Sequence, residues 1–317
     1  MRFEKLSPKG LSEDQFGVRR IIETGDVVQV NSYSSINREP AIKKLSATEY
    51  VRLSDGEILE FESHAETRDE SQKSLRSTFE HIRQMVNCNV TKANAECVRW
   101  CTLTYADRSV SGRDGADRVC RDFVKFWQKF KRWCKKNGYS IPEYINVVEP
   151  QGDGVWHCHV LIIFSHKAPF IANDLFAEMW GQGFVNVKKL PHDNLGTYLC
   201  AYLGDVPVDE ATPQDLRCGV VEEKEVEVDG QKQKKKFVKG GRLWRYPSGM
   251  QILRCSKGVK RPVVYEATPE QVKEKVRNHS LTFETATQMT SEETDFKMLL
   301  RKQYYKTNDT TEDGEKI

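Results

Sequence analysis

The fold is decided by residues 144–164, which read Tyr144-Ile-Asn-Val-Val-Glu149-Pro-Gln-Gly-Asp-Gly154-Val-Trp-His157-Cys-His159-Val-Leu-Ile-Ile-Phe164. Two runs rich in β-branched residues flank a tight-turn sequence, and this order predicts a β-hairpin. Because side chains at i and i+2 of a strand share a face, His157 and His159 project side by side. The hairpin returns Glu149 to their neighbourhood. Two imidazoles and a carboxylate on one face predict a divalent metal site rather than solvated surface histidines.

The composition limits the class of protein. The 317 residues are 38% hydrophobic and 30% charged, with a formal net charge of only +3, so any nucleic-acid binding must come from local patches. The nine cysteines are odd in number and contain no Cys-x-x-Cys pair, which disfavours a disulfide framework or zinc ribbon. No apolar stretch approaches membrane-spanning length, and the N-terminus lacks an apolar signal core. We therefore expect a cytoplasmic protein without a membrane partner.

The order of predicted elements indicates an α+β fold. Hydrophobic periodicity predicts a 23-residue amphipathic helix over Asp114–Lys136. Other predicted elements are helices at 69–87, 172–180 and 195–204 and strands at 97–105, 144–149, 155–164 and 184–189. This alternation predicts one central antiparallel sheet with helices packed on it, the long helix among them.

Three parts are expected along the chain. Residues 1–90 form an N-terminal extension with a short hairpin at Glu49–Phe61 and one amphipathic helix. Residues 91–262 form the α+β domain, with a charged insertion at about 206–240 that is expected to be a solvated hairpin or loop. Residues 263–317 form a tail with one helix, Pro269–Asn278, and a disordered end.

Two tyrosines follow the hairpin in the segment Gly196-Thr-Tyr198-Leu-Cys-Ala-Tyr202. On a helix, residues four apart lie on the same face. The pair is either an aromatic stripe packed on the core or, next to a metal, a pair of nucleophiles.

Three segments in this order resemble the motifs of the HUH endonucleases, specifically the rolling-circle replication initiators of plasmids, phages and integrated elements. Trp100-Cys-Thr-Leu-Thr-Tyr105 is similar to the first motif of that family. His157-Cys-His159 resembles the motif that names it, with Glu149 as the acidic ligand, and Tyr198 to Tyr202 resembles the two-tyrosine third motif. The resemblance covers roughly residues 50–262, and it implies the RRM-like palm of the family as the fold.

The resemblance implies that residues 91–262 are a nuclease domain that nicks single-stranded or hairpin origin DNA. Glu149, His157 and His159 would hold Mg²⁺ or Mn²⁺. Tyr198 would make the first cut, leaving a 5′-phosphotyrosine and a 3′-OH primer, and Tyr202 would rejoin strands at termination. Because no Walker-type sequence is present, a host helicase and polymerase are expected partners.

One departure from the family concerns the lysine that usually follows a catalytic tyrosine by three residues. Ala201 and Asp205 occupy those positions here. The role of that lysine is expected to pass to Lys188 or Lys189.

Alternative functions remain open from the sequence. A conjugative relaxase-type strand transferase would use the same chemistry. A noncatalytic RRM-like nucleic-acid-binding module would have no use for the carboxylate and two histidines. A hydrolase that activates water would have no use for the tyrosines.

Overall fold

The computed structural model describes residues 2–36, 41–46, 48–60, 72–189, 195–228, 231–247, 249–290 and 297–308. The chain is an α+β protein with antiparallel sheets, as predicted. It divides into two compact units, one formed by Ala65–Lys260 and the other by Met1–His64 together with Arg261–Ile317. The predicted domain limits at residues 90 and 262 remain predictions.

The helices are α1 Gln72–Asn89, α2 Gly112–Lys136, α3 Asn173–Trp180, α4 Leu195–Gly204, α5 Pro213–Cys218 and α6 Pro269–Lys275. The strands are β1 Arg2–Leu6, β2 Val18–Thr24, β3 Val27–Tyr33, β4 Ile42–Lys44, β5 Glu49–Arg52, β6 Ile58–Glu60, β7 Val98–Leu103, β8 Glu143–Pro150, β9 Trp156–Ile163, β10 Val185–Lys188, β11 Val206–Pro207, β12 Val220–Val228, β13 Gln231–Lys239, β14 Leu253–Cys255, β15 Val263–Ala267, β16 His279–Thr290 and β17 Lys297–Thr307.

The 65–260 unit is built on a five-stranded antiparallel sheet in the order β10-β7-β9-β8-β14. Its first four members are the strands that the sequence predicted to lie in one sheet, and this prediction is confirmed. The β8–β9 turn closes through a hydrogen bond from the Gln151 amide to the Val155 carbonyl at 2.7 Å. Gly154 has φ of 82° there, a conformation that favours glycine. The short strand β14, which pairs with β8, was not predicted.

Helix α2 covers one face of this sheet, as predicted. Its apolar side chains recur every three or four residues, so they form one stripe directed at the core. The rings of Phe123 and Trp127 lie 5.0 and 4.7 Å from the ring of Tyr144 on β8. Phe126 packs on Phe176 of α3 at 5.6 Å. Because strand residues alternate, β8 presents Tyr144, with the other even-numbered residues, to α2, and its odd-numbered residues face the opposite side.

The opposite face of the sheet is also buried. Ile145, Val147 and Leu161 are at most 2% exposed. Helices α1 and α4 pack against each other and add their apolar side chains to the same core. Gly196 permits this close approach, because a Cβ atom at that position would meet the side chain of Asn87 at 2.7 Å.

The charged insertion forms a hairpin, β12 and β13, whose second strand also pairs with β11. Three glutamates of β12 lie opposite lysines of β13, as in the pair Glu223 and Lys236. This arrangement confirms a hairpin over the predicted segment, and cross-strand pairs of opposite charge stabilise it.

The other unit contains a six-stranded antiparallel sheet in the order β1-β16-β17-β3-β2-β15. Helix α6 packs through Val272 and Val276 on a small apolar cluster of Ile21, Val28 and Val30. A separate three-stranded sheet, β4-β5-β6, contains the predicted hairpin near Glu49.

The prediction of a helical or disordered tail was wrong for much of the C-terminal segment. Helix α6 is present, but residues 279–290 and 297–307 form two long strands. Their sequences are rich in threonine and charged residues and lack a clean apolar alternation, so the usual strand signal was weak. Most of the predicted disordered end lies outside the described residues. Across the described part of the chain, no helix has the length and apolar character needed to cross a membrane.

The packing of α2 gives the first testable prediction. Phe126→Ala should lower the free energy of unfolding of the 65–260 unit by about 3–5 kcal/mol, because it removes a fully buried ring from the core. Val124→Ala on the same helix should change it by less than about 0.5 kcal/mol, because Val124 is 51% exposed. All six tryptophans lie within this unit, so urea unfolding followed by tryptophan fluorescence reports on it selectively. Equal losses in the two variants would contradict the packing described.

Candidate metal centre

The register of the β8–β9 hairpin brings the three predicted metal ligands together. Glu149 lies directly opposite His157, and Val147 lies opposite His159. All three ligands therefore project from the face opposite α2. One potential ligand atom from each residue lies within 4.8 Å of the other two. His159 Nε2 and Glu149 Oε2 are 2.6 Å apart.

The cluster is buried. Glu149, His157 and His159 are 1%, 9% and 4% exposed. Burial lowers the pKa of both histidines to about 4, and for His157 the neighbouring His159 adds to the effect. Both imidazoles are therefore neutral near pH 7, the form in which histidine binds a metal.

Two polar side chains contact the outer nitrogens of the imidazoles. Thr102 Oγ1 lies 3.3 Å from His159 Nδ1. The side-chain amide nitrogen of Gln151 lies 3.0 Å from His157 Nδ1. In this orientation the amide nitrogen donates to Nδ1, because the amide oxygen accepts from Arg108 Nη2 at 3.2 Å. Rotation of the amide would present its oxygen instead, and Nδ1 would then donate and leave Nε2 with its lone pair. Such contacts to the second ring nitrogen orient histidines that bind metals.

The donor atoms fit a cation. His157 Nε2 is buried and has no hydrogen-bond partner among the described residues. A buried polar atom without a partner is costly, and a metal ion would satisfy it. An imidazole and carboxylate set of this kind suits first-row divalent metals.

The structure adds Arg242, whose guanidinium contacts Glu149 Oε1. The carboxylate therefore has one oxygen on Arg242 and the other beside His159. A carboxylate at 1% exposure requires such compensation, because an unpaired buried charge is strongly destabilising. In the sequence, Arg242 belongs to a group of basic residues that is a candidate for binding a phosphate backbone, namely Arg242, Arg245, Arg254, Lys257, Lys260 and Arg261.

A second arginine, three residues after Arg242, joins the charged insertion to the β8–β9 hairpin that carries the three predicted ligands. Arg245 forms a bidentate pair with the fully buried Asp215, in which Nε donates to Oδ1 at 3.2 Å and Nη2 donates to Oδ2 at 2.8 Å. Its Nη1 atom also donates to the Gly152 carbonyl in the β8–β9 turn, at 2.6 Å. Arg245 is thus a structural clamp rather than part of an open phosphate surface.

The two predicted nucleophiles lie on α4. The backbone of Tyr198 and Tyr202 is helical, as predicted, but their side chains lie outside the described part of the structure. The C-terminal end of α4 is tied to the Arg242 segment. The Arg242 amide donates to the Gly204 carbonyl at 3.1 Å, and the Tyr246 hydroxyl donates to the Leu203 carbonyl at 3.2 Å.

The other residues that the sequence singled out are buried aromatic side chains and two exposed lysines. Aromatic side chains such as Trp100, Tyr105 and Trp156 can stack on splayed bases, but these three are 8%, 3% and 1% exposed, and their burial favours a packing role. Lys188 ends β10 opposite Trp100, and both it and Lys189 are exposed.

Comparison with known proteins gives one family. Residues 98–206, about a third of the chain, match the sequence profile of a family described as replication-associated proteins of the ORF2 type. The matching segment contains the three predicted ligands and both tyrosines, so this part of the chain is similar to proteins associated with replication. A search of curated proteins found no significant match.

The geometry predicts metal binding that depends on the histidine pair. The wild-type protein should bind one Mn²⁺ per chain in isothermal titration, and His157→Ala with His159→Ala should abolish this binding because two of three donors are lost. His166→Ala is the matched control, since His166 is exposed and lies outside the cluster. Unchanged Mn²⁺ binding in the double variant would contradict the site.

The lowered pKa values predict how stability depends on pH without metal. Below pH 6.5 the unfolded chain protonates these histidines, whereas the folded chain does so only near pH 4. Stability should therefore fall between pH 6.5 and 4, by up to about 1.4 kcal/mol per pH unit for each imidazole. Urea unfolding of chelator-treated protein at several pH values measures this loss. A His157→Gln and His159→Gln variant should show a shallower dependence, and an identical slope would exclude the histidines as its cause.

Proposed function

We propose that the 65–260 unit is a replication initiator that nicks single-stranded origin DNA by tyrosine attack. The observation that carries the proposal is the buried Glu149, His157 and His159 cluster, joined through Arg242 to the end of the helix that bears two tyrosines. Its occurrence in a segment similar to replication-associated proteins adds support. A noncatalytic binding sheet would gain nothing from burying these groups.

The metal ligands would be Glu149, His157 and His159. Their mixed nitrogen and oxygen donors suit Mn²⁺ and tolerate Mg²⁺. When bound, a divalent cation would withdraw electron density from a non-bridging phosphate oxygen and make phosphorus more electrophilic. Gln151 and Thr102 would hold the imidazoles in position. Arg242 would hold the Glu149 carboxylate and place a permanent positive charge beside it.

The reaction is an exchange of phosphodiester bonds. The tyrosine oxygen forms a bond to phosphorus, the bond between phosphorus and the 3′ oxygen breaks, and a proton leaves the phenol as one is gained by the 3′ oxygen. The product is a 5′-phosphotyrosine and a free 3′-OH. Because the covalent linkage replaces one phosphodiester by another, a second attack can rejoin strands without an external energy source.

Tyr198 is proposed to make the first cut, and Tyr202 to transfer strands at termination. The two residues lie one helical turn apart, so one face of α4 presents both. A host helicase and polymerase would act on the nicked origin.

A covalent adduct tests the proposal without knowledge of the origin sequence. The wild-type protein is incubated with Mn²⁺ and a pool of random-sequence single-stranded oligonucleotides, and adducts that survive denaturation are recovered and sequenced. Tyr198→Phe should lose the adduct, because only the attacking hydroxyl is removed, and Tyr202→Phe should retain it. Peptide mass spectrometry should find the nucleotide on Tyr198.

The control is Tyr139→Phe, which alters an exposed tyrosine outside α4 and should leave the adduct yield unchanged. An adduct found only on Tyr202 would reverse the assignment. Metal-dependent cleavage that persists when both tyrosines of α4 are replaced by phenylalanine would leave hydrolysis by activated water as the reaction.

A further inference from the structure

The outer surface of α2 carries positive charge that the proposed chemistry does not use. Residues 123–142 contain six lysines and arginines and no acidic residue. Four of them follow one another over the last turns of the helix, at Lys131, Arg132, Lys135 and Lys136. We call these four residues the α2 basic stripe.

The charges of the α2 basic stripe are not compensated. None of its four side chains forms an ion pair with a described residue. Lys125, one turn earlier, differs in that it pairs with Asp122 at 3.2 Å. Favourable interaction with the negative end of the helix accounts for cations in the last turn. That effect falls off within one turn, so it explains Lys135 and Lys136 better than Lys131 and Arg132.

The stripe borders a shallow depression. Gln128, Lys131, Arg132, Lys135 and Ile141 line about 250 Å³ of open space. Positions 128, 131, 132 and 135 share one helix face, so three cations and an amide converge on this space. Three cationic side chains and an amide donor, with no acid among the lining residues, are suited to phosphate oxygens.

The stripe and the metal cluster lie on opposite sides of the central sheet. Helix α2 packs on the face that carries Tyr144, whereas Glu149 projects from the other face. A phosphate at the stripe is therefore a different phosphate from the one at the metal cluster. The stripe spans about 7.5 Å of helix axis at 1.5 Å per residue, a length over which duplex DNA carries about four phosphate charges, about two on each strand.

We propose that the α2 basic stripe binds the backbone of duplex DNA without sequence preference, and so holds origin DNA while a single strand is cut on the other side of the sheet. This inference rests on the proposed function, because only a DNA-processing role supplies the duplex. Duplex DNA is favoured by its charge density, which matches four cations without any requirement for unstacked bases.

Salt-dependent binding tests the inference. Fluorescence anisotropy with a labelled 20-base-pair duplex of mixed sequence gives the affinity as a function of NaCl concentration. In the quadruple variant K131Q/R132Q/K135Q/K136Q the slope of log affinity against log salt should shrink by about 3–4, and affinity at 50 mM NaCl should fall by roughly tenfold or more. The adduct yield on short single strands should stay unchanged, since the stripe lies away from the cluster.

Two further variants separate contact between the stripe and DNA from an effect of net charge and from an effect of side-chain identity. K234Q/K235Q/K236Q/K239Q removes the same charge from β13 and should leave the slope at the wild-type value, because Lys234 and Lys236 lie opposite glutamates and Lys239 pairs with Glu222. K131R/K135R/K136R keeps the charge and should bind as the wild type does. Circular dichroism checks that each variant is folded.

The outcomes distinguish this inference from the proposed function. The inference would be overturned if the wild-type protein did not bind duplex DNA, whether or not adducts form. It would also be overturned if the quadruple stripe variant kept the wild-type slope. An unchanged slope is also the result expected if the stripe binds an acidic protein surface instead of DNA. An equal loss in the β13 variant would overturn it too, because net charge alone would then explain binding. Duplex binding that depends on the stripe, in a protein that forms no adduct, would support the stripe and count against the nicking reaction alone.

Discussion

The antiparallel register of β8 with β9 is the constraint on which the candidate site depends. Glu149 faces His157 across the ladder, and the two-residue period of a strand puts His159 on the same face. If the pairing register slipped by one residue, the predicted ligands of one strand would point toward α2, and those of the other strand would stay on the opposite face. Two features fix this register. Hydrogen bonds within the turn close the hairpin, and strands β7 and β14 pair with its two outer edges. The candidate metal site is thus a property of the whole sheet rather than of a loop.

Burial of Glu149 imposes a second requirement, which the segment after the charged insertion meets. A carboxylate removed from water must be paired, and Arg242 supplies the partner from a segment that follows the β12–β13 hairpin. The same segment fastens the β8–β9 turn through Arg245 and the end of α4 through backbone and tyrosine hydrogen bonds. A few polar contacts in this way join three parts of the candidate site: the β8–β9 hairpin, the charged insertion and helix α4. A substitution that shifts one of these parts is therefore expected to shift the other two as well.

The two faces of the central sheet carry different chemistry. One face buries a compact set of imidazole, carboxylate and guanidinium groups, where low polarity strengthens electrostatic interactions. The other face is covered by α2, whose outer surface is exposed and basic. Such a surface suits contacts with phosphates that are weak, numerous and sensitive to salt. A separation of this kind would allow the proposed DNA binding and cleavage to be altered independently.

The sequence by itself determined the features that depend on short spacing. The alternation of His157 and His159, the turn before them, the apolar stripe of α2 and the helical segment with Tyr198 and Tyr202 all follow from periods of two and 3.6 residues, and the described structure agrees with each of these elements. The family resemblance added the roles of these residues, which stay predictions. Only the tertiary structure revealed Arg242 on Glu149, Gln151 and Thr102 on the imidazoles, and a six-stranded sheet assembled from both ends of the chain. These features depend on pairings between distant segments, and local sequence patterns carry no information on which distant segments will meet.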